Sequence, residues 1–181
     1  MMSVLRTGRH VLIRRTSLRD EAAFVSYARE NRQFHHPWIR LPQTKRAFGV
    51  WIAQKCDDPA CASFLVVHRA DRSIVGLINI NEIVRKGFQS GYLGYCGSEA
   101  WAGAGLMTEG LGLVVSYAFR TMKLHRLEAN IQPENAASLA LVRRLGFRHE
   151  GFSHRYLKIN NRWRDQKRYA VLREDWVGRG G

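Results

Sequence analysis

Residues 92–122, YLGYCGSEAWAGAGLMTEGLGLVVSYAFRTM, decide the fold. A short apolar run from Tyr92 to Gly97 breaks into a turn carrying Gly103 and Gly105, and the turn opens into a long helical pattern. Glycine reaches left-handed backbone conformations without Cβ strain and leaves its own amide accessible. The first amides of a helix lack intrahelical acceptors and lie at the positive end of its dipole. Successive free N–H groups there can wrap a phosphate or pyrophosphate without any charged side chain. Past the turn, Leu106, Leu111, Leu113, Val114, Val115, Ala118 and Phe119 form a broad apolar face at helical spacing. Glu109 in the first turn and Arg120 and Lys123 at the far end match the dipole. A plain tight turn is the alternative for the two glycines. The absence of a following Lys-Ser or Lys-Thr speaks against a nucleoside-triphosphate loop. The absence of a third glycine with an acid about 20 residues on speaks against a dinucleotide site.

Upstream of this stretch, residues 10–15 alternate as a strand does. Ser17 then caps a helix reaching about Arg29, with Asp20 and Glu21 in its first turn. Residues 31–43, NRQFHHPWIRLPQ, read as a loop with two large aromatics, Phe34 and Trp38, which either seal the core or touch substrate. A second helix covers about 44–56. Two β-branched runs, 62–69 and 74–84, flank the turn Ala70-Asp71-Arg72-Ser73 and predict a hairpin. Residues 92–97 add the next strand of the meander. Downstream, 126–131 forms a strand beside the one ending at Gly97, a strand-helix-strand crossover and so parallel and right-handed. Asn135 caps a helix that Gly146 stops. Two last strands, 150–159 and 164–172, meet at the Asn160-Asn161 turn.

A chain of 181 residues, 45% of them hydrophobic, predicts a single folded domain over 1–181. No apolar run approaches the ~20 residues of a membrane helix, and the opening MMSVLRTGRHVLIRR lacks the features of a signal peptide, so a cytoplasmic location is expected. Cys56, Cys61 and Cys96 show neither disulfide nor zinc spacing, and the adjacent His35 and His36 point apart on any regular element; no metal is expected. The charge is more informative: 29 basic against 15 acidic residues give +14, which favours acidic partners. The basic residues concentrate at Arg6, Arg9, Arg14, Arg15 and Arg19, and again from Arg143 through Arg148, Arg155, Lys158, Arg162, Arg164, Lys167 and Arg168. A solvated basic surface and an RNA-facing one are both open.

Three features coincide in the second half: WAGAGLMTEG at 101–110 after a strand, Pro133-Glu134-Asn135-Ala136-Ala137-Ser138 after the next, and Leu145-Gly146-Phe147 closing the short helix. Together they resemble the GNAT superfamily of acyl-coenzyme A dependent N-acetyltransferases. Residues 150–176, EGFSHRYLKINNRWRDQKRYAVLREDW, resemble the C-terminal hairpin of its RimJ/RimL branch, the ribosomal-protein alanine N-acetyltransferases. The resemblance implies an α/β fold with a mixed sheet of about seven strands and about four helices. It implies acetyl-CoA as co-substrate, its pyrophosphate held by amides of Gly103, Ala104, Gly105, Leu106 and Met107. The family's turn usually opens on Gln or Arg and often carries a basic residue between the glycines. This chain has Ala100, Ala102 and Ala104, which bears on affinity rather than on cofactor identity.

By the same resemblance, Asn135 lies beside the pantetheine arm and Ser138 near the thioester sulfur, as candidate acid for the leaving thiolate. Their plainer roles are an N-cap and a helix-surface hydroxyl. Glu128 matches the glutamate that serves as base in RimI-type enzymes; the alternative is a strand carboxylate facing solvent. Where some RimL-type enzymes carry an acid on the later hairpin, this chain has Leu157. The implied acceptor is the N-terminal alanine α-amine of a ribosomal protein, the fifth of the small subunit, with the basic surface meeting ribosome or rRNA. Two other functions compete. One is acetylation of a small amine, for which acids are sparse in NRQFHHPWIRLPQ; the other is an RNA-binding ribosome-assembly factor that keeps only the fold. Monomer and homodimer are both open.

Overall fold

The alternation along ASFLVVH, buried on both sides, makes this strand the centre of the molecule. Phe64 and Val66 face one apolar layer and Leu65 and Val67 the other. The computed structural model describes residues 3–176, with the Cys56 side chain also outside the description. In chain order it contains β1 (Val4–Thr7), β2 (Val11–Arg15), a 3-10 turn (Leu18–Asp20), α1 (Glu21–Glu30), α2 (Arg32–His35) and α3 (Lys45–Asp57). There follow β3 (Ala62–His68), β4 (Ile74–Val84), β5 (Ser90–Gly97), a second 3-10 turn (Glu99–Trp101) and α4 (Leu106–Arg120). The chain continues through β6 (Arg126–Ile131), α5 (Ala136–Arg144), β7 (Arg148–Ile159), β8 (Arg162–Leu172) and α6 (Arg173–Trp176). The strands form one mixed sheet in the order β1-β2-β3-β4-β5-β6-β8-β7, antiparallel everywhere except at β5 and β6.

The eight strands and six helices among the described residues exceed the expected counts by short pieces. β1 covers four residues and pairs only with β2, too short to show a period. α2 is a single turn inside the expected 31–43 loop, and α6 a single turn after β8. Each is held by tertiary contact rather than by its own periodicity: Trp176 of α6, for example, donates its indole N–H to Ser116 Oγ of α4 at 2.9 Å. The helix expected from Ser17 begins instead as a 3-10 turn, with the Asp20 carboxylate accepting from Ser17 N–H at 2.8 Å and from the buried Arg14 guanidinium at 2.6 and 2.9 Å.

α4 lies across one face of the sheet, burying Leu111, Val114, Val115, Ala118 and Phe119 with Val11, Ile13, Phe64, Val66, Ile78 and Leu127. Each large apolar side chain buried there stabilises by about 1.5–3 kcal/mol. Gly110 allows the close approach, since a Cβ at that position would come within 2.6 Å of Val66 Cγ1. α1 and α3 cover the other face, packing Phe24, Phe48 and Ile52 against Leu65, Val67, Leu77 and Cys96.

What positions the site is an interruption. β5 and β6 pair only at Ser90 with Arg126, Gly91 with Leu127 and Tyr92 with Glu128. Beyond that point β5 keeps β4 as its partner through Gly97, and β6 keeps β8 through Ile131. The sheet therefore splits, and the glycine turn and the start of α5 stand at the two sides of the opening.

Candidate active site

The turn between β5 and α4 has the geometry its glycines require. Gly103 and Gly105 adopt φ of 77° and 78°, the left-handed region in which a Cβ is strained, and no heavy atom lies within 4 Å of where their Cβ atoms would be. Gly105 is the N-cap of α4. The Glu109 N–H reaches the Gly105 carbonyl at 3.1 Å, so the amides of Leu106, Met107 and Thr108 precede the helical ladder. Gly103 and Gly105 N–H take part in none of the turn's backbone hydrogen bonds. Ala104 differs from the expectation: its N–H donates to the Trp101 carbonyl at 3.2 Å, a bond that closes the turn and directs this amide inward. Among the five amides expected to hold a phosphate, Ala104 thus shapes the cradle rather than lining it.

Across the opening, Asn135 caps α5 by accepting from Ser138 N–H at 3.1 Å. Ser138 Oγ lies 2.6 Å from the hydroxyl of Tyr95 on β5. Burial pushes the Tyr95 phenol up to about 12, with the Ser138 bond acting weakly against it, so this tyrosine keeps its proton at any physiological pH. Tyr95 went unnoticed in the sequence because it reads as one more apolar position of YLGYCG.

Glu128 is set apart. Its carboxylate accepts from Arg126 Nε at 2.8 Å, and the same guanidinium forks onto Glu150 of β7. That pairing raises the Arg126 pKa and lowers that of Glu150. Leu127, Ala129 and Ile131 point to the α4 layer, so Glu128 and Asn130, alternating with them, face the α1 side. Tyr92, the register partner of Glu128, has its phenol pKa raised by burial and by the Glu128 charge, and also bonds Tyr156 of β7. Glu128 and Ser138 therefore lie on opposite faces of the sheet, and a reacting group can meet both only within the split.

A cavity of about 1100 Å³ runs along this opening. Gly103, Gly105, Met107, Asn135, Ser138 and Tyr95 line it, whereas Ala104, Leu106 and Glu128 do not. Arg9 and Arg144 contribute positive charge to its wall, and Phe34 and Trp38 close the end near α2, which favours substrate contact for these two aromatics. α2 is pinned there because His35 Nε2 bonds the Gly97 carbonyl at 2.8 Å and Asn31 Oδ1 accepts from Glu99 N–H at 2.7 Å. Burial lowers the His35 pKa, partly offset by that bond, which keeps the ring neutral and its N–H on Gly97. Among the described residues no cluster of His, Cys, Asp or Glu is arranged to hold a metal ion, and no helix is long and apolar enough to cross a membrane.

Comparison with known proteins agrees with this geometry. Residues 10–148 match the acetyltransferase (GNAT) domain. The chain is 33% identical over 178 residues to the [ribosomal protein uS5]-alanine N-acetyltransferase of Escherichia coli strain K12, covering 94% of this chain and 92% of that protein. The structure of Mycobacterium smegmatis RimJ in complex with CoA-disulfide superposes with a TM-score of 0.84 at 25% identity, over 91% of this chain and 83% of that one. The ribosomal-protein-S5-alanine acetyltransferase from Vibrio fischeri superposes with a TM-score of 0.80 at 26% identity, over 94% and 97% of the two chains.

Proposed function

We propose, from the premise that this chain belongs to the GNAT acetyltransferase family and is an acetyl-CoA dependent N-acetyltransferase, that its acceptor is the N-terminal alanine α-amine of a ribosomal protein. In this reading residues 1–181 act as one catalytic domain in the cytoplasm. The observation that supports the chemistry is the split between β5 and β6, which lets the glycine turn and the Tyr95–Ser138 pair work from one face and Glu128 from the other. The acceptor is taken from the E. coli relative, which the chain matches over nearly its whole length, and it suits a protein of net charge +14.

The residues present fit acetyl-CoA. Gly103, Gly105 and Met107 line the cavity at a helix start, with the Leu106 amide between them ahead of the helical ladder and Ala104 closing the turn behind. Asn135 lies on the opposite wall of the same cavity, one helical turn before Ser138. When bound, acetyl-CoA supplies an acyl group activated as a thioester.

The remaining chemistry belongs to the chain. A peptide α-amine has a pKa of ~8 and is mostly protonated at neutral pH, so it must lose a proton before it can attack. Glu128 takes that proton, directly or through water, and Arg126 fixes its orientation while Glu150 holds Arg126 in turn. On the other face the Tyr95 and Ser138 hydroxyls share a 2.6 Å hydrogen bond in which either can donate; with Tyr95 as donor, the serine hydrogen is free to meet the departing thiolate. The high phenol pKa keeps this pair supplied with a proton.

Mass spectrometry of intact ribosomal proteins from a strain lacking this chain tests the reading. One small-subunit protein should lose 42 Da at its N-terminus, about the mass of an acetyl group, and the purified protein should restore it. An unchanged set of ribosomal proteins would reject the acceptor while leaving the acetyltransferase assignment intact.

A further inference from the structure

The face of β6 and β8 that carries Glu128 holds an unusual concentration of buried polar atoms with no hydrogen-bond partner among the described residues. Asn130 Oδ1, both amide atoms of Gln166, Arg164 Nε and Arg168 Nε all belong to it. The register groups them: Asn130 stands opposite Arg168, Arg164 and Gln166 share that strand face at two-residue spacing, and Gln166 opposes Ser153 on β7. Gln166 is fully buried between its two flanking arginines. Such groups in a folded protein are rare enough to require an explanation, and five of the eight such atoms among the described residues gather on this face, the others being Arg6 Nε, Ser73 Oγ and Asn79 Oδ1.

We propose that Asn130, Gln166 and Arg168 read the main chain of the acceptor, and that the acceptor is therefore a peptide rather than a polyamine. The inference rests on the function proposed above, which places the reacting amine at Glu128. A carboxamide presents one donor group and one acceptor, the complement of a peptide unit, and the arginine Nε adds a donor suited to a carbonyl. A polycation would need free carboxylates. Of the two on this face, Glu150 is taken up by Arg126, which leaves Glu128 as the single carboxylate to meet one amine, and Asp165 is engaged by the Arg155 N–H at 2.7 Å and by His154. The β7–β8 hairpin reaches back over the chain: Asn160 Nδ2 at its tip donates to the Pro37 carbonyl at 2.9 Å, and Tyr156 of β7 bonds Tyr92 of β5. On the strand, Arg164 and Arg168 flank the buried Gln166 at two-residue spacing, so a peptide reaching its amide must shift these long side chains.

Steady-state kinetics on Gln166→Leu and Asn130→Ala, with an Ala-starting peptide and with spermidine, test the proposal alongside calorimetry of acetyl-CoA and thermal melting. Each variant should raise the peptide KM about tenfold, the usual consequence of losing a buried hydrogen bond to a ligand, with acetyl-CoA affinity unchanged. Gln166→Leu should leave Tm unchanged or higher, because it removes an amide that has no partner in the free protein. Unaltered peptide KM in either folded variant overturns the proposal; a lowered Tm with unaltered KM assigns Gln166 to the fold. If the wild-type protein acetylates spermidine and no peptide, the acceptor proposed above fails, and this inference fails with it. Peptide turnover by the wild type with indifferent variants sinks this inference alone.

Discussion

Tyr92 and Glu128 form the last paired rung between the two parallel strands, and beyond that rung the sheet parts. The pair explains why a carboxylate on an otherwise core-facing strand is half-buried yet not sealed in. It sits where the sheet has just parted, with the Tyr92 phenol beside it and the Arg126 guanidinium fixing its direction.

The phosphate turn is tested at Gly105. Replacing it by aspartate places a side chain and a negative charge at the helix start, in a position of φ 78°. Acetyl-CoA binding by calorimetry should fall by at least about a hundredfold in a protein that still folds, because lost amide access and charge repulsion act together. Undiminished affinity would move the pyrophosphate elsewhere.

The base is tested at Glu128. Glu128→Gln should lower kcat/KM for peptide at neutral pH by about 10²-fold, with acetyl-CoA affinity within about twofold, and activity should recover as pH rises and the amine loses its proton unaided. A parallel loss at every pH would make Glu128 structural.

The proton donors are tested as a unit. Tyr95→Phe and Ser138→Ala should each reduce kcat, and the double variant should be little worse than the poorer single one, since both act through one 2.6 Å contact. Additive losses would separate the two roles.

Buried phenol also fixes the sign of alkaline stability. Burial pushes the Tyr95 phenol from its ordinary range near 10 up to about 12, so the stability it contributes is fully present below about pH 10 and is lost as pH rises towards 12. Chemical denaturation between these pH values should show a downward slope that is shallower in Tyr95→Phe. An identical slope in the variant would place the alkaline loss at other groups, such as Tyr27 and Cys96, whose pKa values burial also raises.

The hairpin carries a separable set of exposed charges. Arg155, Lys158 and Arg162 are exposed near its tip, and we expect them to meet ribosomal RNA phosphates. Charge reversal at these three should weaken ribosome association and its salt dependence, and acetylation of the ribosomal substrate with them, while a short Ala-starting peptide is acetylated normally. Arg164 is left out of the set because it shares a strand face with Gln166. Equal loss on both substrates, or ribosome binding indifferent to salt, would remove the RNA contact.

The sequence by itself determined the strand-turn-helix at 92–122, the left-handed glycines, the Asn135 cap and the Gly146 stop. Each of these is a local property: a glycine at positive φ, an Asx side chain on its own helix amides, an apolar period of 3.6 or 2. The parallel crossover was legible as well, because chain connectivity leaves a strand-helix-strand unit few alternatives. Only the tertiary structure decided where β5 and β6 stop pairing, that Ser138 meets Tyr95 from 43 residues away, and that Glu128 faces the opposite side of the sheet. It alone turned the Ala104 amide inward and gathered Asn130, Gln166 and Arg168 under one hairpin. Contacts of that kind depend on register and on which face each strand presents to its neighbours, and a local pattern carries no record of either until the whole sheet is assembled.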